Sequence, residues 1–267
     1  MKFPRLFLSV AIAAAFSASL LAQRPSTGYH TVACIKVKPD KGSEFRKWAA
    51  EDLHKYAQSR VDAGAVSNWY LLRSIMPQGT SAECDYLIVA VFSGAPPKPM
   101  GLEELGAALK KAGITASAQE YIDRRNSLVT LVSQNLFQNV AIVGASKKGD
   151  YFMVNYMKVH NMEDYLAYEK KVWKPLAEEM AKDGVRSGWS LNTQVLPAGS
   201  DLKFDAVTVD VYPTWDSIFT DDAKFVERFK KTHPDLELGT TFEQYEKLRT
   251  LVSTQLLSVD DMLSSAK

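Results

Sequence analysis

The sequence predicts an α+β fold made of two tandem β-α-β-β-α-β units, and three observations predict it. The first is an internal repeat. Gly64-Ala65-Val66-Ser67-Asn68-Trp69 matches Gly184-Val185-Arg186-Ser187-Gly188-Trp189, and the same offset of 120 positions carries Pro77 onto Pro197, Gly79 onto Gly199, Asp85 onto Asp205 and Leu131-Val132-Ser133 onto Leu251-Val252-Ser253. The second is a set of short apolar runs rich in β-branched and aromatic residues, bounded by turn residues. The third is the stretch at helical spacing between the first two runs of each copy.

Taken in order, the first strand of each copy spans residues 30–37 and 152–159. Here the offset is 122, so a two-residue length difference separates this strand from the helix that follows. That helix covers residues 43–63 in the first copy, with Phe45, Trp48, Ala49, Leu53 and Tyr56 on one face; Tyr165, Tyr168, Val172, Trp173 and Leu176 repeat the pattern. Gly64 and Gly184 stand where a helix ends in a left-handed residue. Two strands follow as a hairpin around Met76-Pro77-Gln78-Gly79 and Leu196-Pro197-Ala198-Gly199, whose Pro and Gly suit a turn. Residues 85–92 and 205–212 are near-continuous apolar runs, predicting strands covered on both faces. Helical regions at 102–112 and 118–129, and at 222–232 and 242–252, lead to last strands near 136–143 and 256–263. The chain therefore divides into a segment 1–22, a first unit 28–143, a linker 144–149 and a second unit 150–267.

Residues 1–22 read as a secretory signal: Lys2 and Arg5 precede an apolar stretch rich in Ala and Ser, too small-residued for a comfortable bilayer span. Export to the periplasm or the medium is expected, with no stable membrane insertion after the signal is removed. The formal net charge is +1 with both signs interspersed, so nothing points to nucleic acid as a partner; oligomeric state stays open. The two cysteines, Cys34 and Cys84, exclude a disulfide-dense scaffold and a multi-thiolate zinc site. Both fall in predicted strands, so they are expected to pack as buried thiols, although export permits one bridge.

Chemistry-bearing motifs are missing. His30, His54, His160 and His233 do not recur between copies, no pair has the i, i+4 spacing of a helical metal site, and there is no phosphate loop, nucleophile elbow or HExxH. No cofactor or metal is predicted. Trp69 and Trp189 recur at equivalent places and read as core; Asp85 and Asp205 recur at strand starts and read as caps of turn amides. The copies differ most in polar residues within apolar strands. Asn155 and Tyr156 stand where the first copy has Ala33 and Cys34, Thr208 and Asp210 where it has Ile88 and Ala90, and Asn192 where it has Leu72. An unpaired buried polar group costs about 1–3 kcal/mol. These residues therefore need partners, and a pocket lined by some of Asn155, Tyr156, Trp189, Asn192, Thr208, Asp210, Trp215 and His233 is expected in the second unit.

The element order, duplicated, resembles the dimeric α+β barrel superfamily, in which two ferredoxin-like units pack sheet to sheet as a pseudo-dimeric barrel, and its antibiotic-biosynthesis-monooxygenase-like members. The resemblance spans the mature chain in element order rather than in motifs. It implies a cofactor-free or haem-dependent monooxygenase as one function. Asn155, Trp215 and His233 stand in the regions where the superfamily's haem-degrading enzymes carry an Asn, a Trp and a His, and Phe229-Lys230-Lys231-Thr232-His233 looks like their helix ending in His. Here Pro234 follows that His, and the first copy has no equivalent triad. Two further classes fit the residues: a binder of a small, largely apolar molecule, and an interaction module with a filled core.

Overall fold

The computed structural model describes residues 28–220 and 224–265; the expected signal segment lies outside them. Eight strands form the sheet: β1 (Tyr29–Val37), β2 (Asn68–Met76), β3 (Tyr86–Phe92), β4 (Val129–Gly144), β5 (Tyr151–Val159), β6 (Gly188–Leu196), β7 (Ala206–Tyr212) and β8 (Arg249–Ser264). They close into a barrel in the order β1-β3-β2-β8-β5-β7-β6-β4, every neighbouring pair antiparallel. The first half contributes β4-β1-β3-β2 and the second β8-β5-β7-β6, the same order twice. Closure leaves no free strand edge.

The last strand of each half is longer than its sequence pattern predicts. Both β4 and β8 run 16 residues, because each serves two neighbours. The first part of β4 pairs with β1 and its last part crosses to β6; β8 does the same with β5 and then β2. Those crossings seal the two halves together. Leu131, Val132, Leu251 and Val252 start these strands yet stay exposed, so their apolar side chains mimic a helix end in the sequence. The linker narrows to the residues just after Gly144. At Gly144 the backbone is left-handed, φ 68°, and an added Cβ would sit 2.1 Å from the Ser187 carbonyl oxygen. Only glycine allows that approach of β4 to β6.

Helices cover the outer wall. In the first half these are α1 (Gly42–Trp48), α2 (His54–Asp62), α3 (Leu102–Lys111) and α4 (Ala118–Leu128). In the second they are α5 (Met162–Tyr168), α6 (Lys174–Lys182), α7 (Trp215–Thr220), α8 (Phe225–Thr232) and α9 (Leu238–Leu248). A π-helical turn joins α1 to α2 at Ala49–Leu53 and α5 to α6 at Glu169–Trp173, where the sequence predicts one unbroken helix. Phe45, Trp48, Leu109 and Leu128 pack with Trp69 outside the first half. Tyr165, Ala177 and Tyr245 pack with Trp189 outside the second. Each such buried large side chain contributes about 1.5–3 kcal/mol. Asp85 and Asp205 bond main-chain amides as expected, but at the ends of β1 and β5 rather than in turns: Oδ2 accepts from Val37 N at 2.8 Å and from Val159 N at 3.0 Å.

Cys34 and Cys84 are joined in a disulfide, which corrects the expectation of free thiols. Cys84 lies just before β3 rather than within it, and the Asp85 N to Ile35 carbonyl hydrogen bond brings that approach segment alongside β1. The two Cα atoms are 5.3 Å apart, within bridging range. Among the described residues no helix is long and apolar enough to cross a membrane.

Candidate functional site

Strand alternation sends every second side chain into the barrel, and these side chains do not fill it. A cavity of about 870 Å³ runs through the lumen. Its middle is apolar, with Val32, Val89, Phe137, Phe152, Val154 and Val209. One end, at the starts of β1, β2, β5 and β6, carries His30, Asn68, Asn139 and Ser190. The other carries the Cys34–Cys84 bridge, Glu83, Tyr156, Lys203 and Phe204. Both halves line it. Tyr156 donates to Gln255 Oε1 at 3.1 Å, and burial pushes its phenol well above the ordinary range. At the first end Nδ1 of His30 lies 2.6 Å from Asn139 Oδ1, and burial holds the imidazole down at about 4.

The structure divides the eight residues singled out in the sequence. Tyr156 and Asn192 line the lumen, and Trp189 borders it while its ring packs in the helix-facing layer. Asn192 Nδ2 donates to Ser190 Oγ at 3.0 Å. Asn155, Thr208 and Asp210 are brought together on the opposite face of the wall. Asn155 Nδ2 donates to Asp210 Oδ2 at 3.1 Å and to Thr208 Oγ1 at 3.3 Å, and Thr254 Oγ1 donates to Asn155 Oδ1 at 2.9 Å. Asp210 also takes an ion pair from Arg186, whose guanidinium lies 5.3 Å from the centroid of the Tyr212 ring. Trp215 stands apart on α7 against Tyr151 and Phe219.

His233 ends α8 with Nε2 hydrogen-bonded at 2.8 Å to the Val172 carbonyl, so that nitrogen is already spent. Asn155 is committed to its sheet partners, and the Trp215 ring packs against Tyr151 and Phe219. The triad matched to haem-degrading enzymes therefore does not converge, and it does not fit a haem.

Two arrangements escaped sequence reasoning. One is the His30–Asn139 pair; the repeat register sets His30 against Phe152, which is the signal that could have found it. The other lies between α5, the π turn and α9. Glu169 is fully buried, Tyr245 donates its hydroxyl to Oε1, and Oε2 has no hydrogen-bond partner among the described residues. Burial pushes the Glu169 carboxyl up to about 7 despite the Tyr245 hydrogen bond, which lowers it. Arg249 lies over the Tyr245 ring at 4.3 Å. The first copy has Ala49 where Glu169 stands, a charge placed in an otherwise apolar helix stripe.

The sequence matches no protein-family model and no curated protein. Solved structures do match. A candidate monooxygenase from Fusobacterium nucleatum aligns over 90% of this chain and 96% of its own at 12% identity, TM-score 0.57. Another, from Lactobacillus acidophilus, aligns over 90% and 97% at 13% identity, TM-score 0.55. The chain shares its overall fold with these two proteins. At these identities the likeness is one of architecture.

Proposed function

We propose that this protein is an exported, fused pair of ferredoxin-like units that binds a small, largely apolar molecule in the barrel lumen. The cavity carries the reading. Its volume of about 870 Å³ falls in the range of ligand sites, roughly 300–1,000 Å³, and its apolar middle with polar groups at the ends is the lining such sites have. The repeated strand order supports the fused-pair reading, and the Cys34–Cys84 bridge supports an oxidising destination.

The test is a fluorescence titration of the mature chain with the neutral probe N-phenyl-1-naphthylamine. Saturable binding of one probe per chain is expected, weakened at least ten-fold by the lumen-filling Val89→Phe/Val209→Phe variant. Binding that the variant leaves unchanged would place the probe elsewhere and sink the reading.

Oxidation of the bound molecule is the second reading, favoured by the fold shared with candidate monooxygenases. Oxygen uptake that depends on a lumen ligand and is lost in Val89→Phe/Val209→Phe would support it.

A further inference from the structure

The lumen wall carries one polar pair that its own repeat lacks. Nδ1 of His30 sits 2.6 Å from Asn139 Oδ1, and the imidazole stacks on Phe137 with 5.1 Å between centroids and 12° between planes. In the repeat register, His30 corresponds to Phe152 and Asn139 to Val259; β1 and β5 meet β4 and β8 in the same alignment. The fold therefore accepts two apolar residues at these places. A polar pair kept where the architecture does not require it, beside the apolar middle of the lumen, is a group with another task.

The pair's chemistry is specific. Burial keeps the ring neutral, with its pKa at about 4. A neutral imidazole has one N–H, and Asn139 Oδ1 accepts from it, so Nε2 carries a lone pair. His30 has no further hydrogen bond among the described residues, and it lines the cavity. The lining residues that bear full charge, Glu83 and Lys203, belong to the opposite end. A cation at this end would lose its hydration with no anion among the described lining residues to replace it, and a carboxylate would meet a lone pair. A neutral donor meets neither penalty.

On the reading that the lumen is a ligand site, we infer that it selects an apolar molecule bearing a neutral hydroxyl, alcohol or phenol, whose hydrogen bond Nε2 of His30 accepts. His30 is then the residue that sets specificity, and Asn139 positions its ring by taking the Nδ1 proton.

The experiment compares 2-naphthol with 2-methylnaphthalene, near-isosteres that differ in one donor, on the mature wild-type chain and on His30→Phe/Asn139→Val, which copies the second half. The wild type should bind naphthol about ten-fold more tightly, the worth of one buried hydrogen bond. The variant should bind both equally, with methylnaphthalene affinity within about three-fold of wild type. A second measurement needs no variant: in the ¹⁵N spectrum of the imidazoles, Nε2 of His30 should report an unprotonated nitrogen that shifts with naphthol and not with methylnaphthalene. A naphthol preference that survives in the variant, or an Nε2 that is protonated or unmoved, overturns the assignment to His30 while leaving the lumen site standing. Failure of both probes to bind the wild type overturns the lumen reading itself.

Discussion

Tyr156 and Phe204 pack with 4.7 Å between ring centroids at one end of the barrel, at the positions that correspond in the first half to Cys34 and Cys84. One architecture thus closes the same end twice by different means: an aromatic contact in one half, a covalent bond in the other. The disulfide closes a loop of 50 residues, and constraining that loop in the unfolded chain is worth about 4 kcal/mol on the chain-entropy account, with 2–4 kcal/mol typical. Cys34→Ser/Cys84→Ser should remain folded and soluble, since Leu72, Leu87 and Phe137 still pack around the site, but its urea midpoint should fall by the equivalent of about 2–4 kcal/mol. Cys34→Tyr/Cys84→Phe, copying the second half, should recover part of that loss. Loss of soluble protein on reduction alone would show that the bridge is needed to fold.

The repeat exposed the duplicated order of elements and the structural rather than catalytic use of Asp85 and Asp205, because each rests on local patterns that duplicate. It did not expose the closure of the barrel. Closure depends on β4 and β8 crossing the seam, and their starts carry exposed Leu131 and Leu251, which no periodicity distinguishes from a helix end. The site was half legible for a related reason. Comparing copies picks out a polar residue but not its face: Asn155 and Tyr156 are adjacent in sequence, yet one meets Asp210 under the helices and the other meets Gln255 in the lumen. A one-residue step reverses the face.

Asp210 sits in the helix-facing network rather than in the cavity, which sets the expected outcome of removing it. Asp210→Ala removes one carboxylate partner from the largely buried Arg186 and an acceptor from Asn155, so stability should fall by about 1–3 kcal/mol. The double variant Arg186→Val/Asp210→Ala restores the first half's Val66 and Ala90 at these places, and it should be more stable than the single one. Affinity for N-phenyl-1-naphthylamine should stay within about two-fold in both, because neither residue lines the lumen. A purely additive cycle in chemical denaturation would contradict the pairing.

Gly64 and Gly144 share a φ of 68°, but only one is crowded. Around Gly64 an added Cβ meets nothing within 4 Å, so Gly64→Ala should cost only the left-handed backbone penalty, about 1 kcal/mol. At Gly144 the Cβ would be 2.1 Å from the Ser187 carbonyl oxygen and 2.9 Å from the Gly188 Cα, both backbone atoms that cannot swing away. Gly144→Ala should cost at least about 3 kcal/mol and should loosen the β4–β6 seam, seen as faster amide exchange at Trp189 and Leu191. Equal costs at the two sites would mean that the seam yields freely.

Glu169 and His30 bias stability against pH in opposite directions. The Glu169 carboxyl rises in the folded chain from 4.5 to about 7, so between those values the folded state holds a proton that the unfolded state has lost. Stability from this group therefore falls as pH rises through that window and is flat on either side. The His30 imidazole drops from 6.5 to about 4, so between those values the unfolded state holds the extra proton, and stability from this group is lost as pH falls. Each amounts to at most about 3 kcal/mol, at roughly 1.4 kcal/mol per unit. In the wild type the two slopes offset each other between about pH 4.5 and 6.5, and substitution uncovers them singly. Relative to wild type, Glu169→Gln should gain stability steadily from pH 4.5 to 7, whereas His30→Phe/Asn139→Val should gain it as pH falls from 6.5 to 4. Taking differences from wild type removes the background of the other carboxylates. Urea denaturation at half-unit pH steps measures both profiles. A flat difference profile for Glu169→Gln would mean that this carboxyl ionises in the folded chain as it does in water, and one that rises toward acid would mean that folding lowers its pKa.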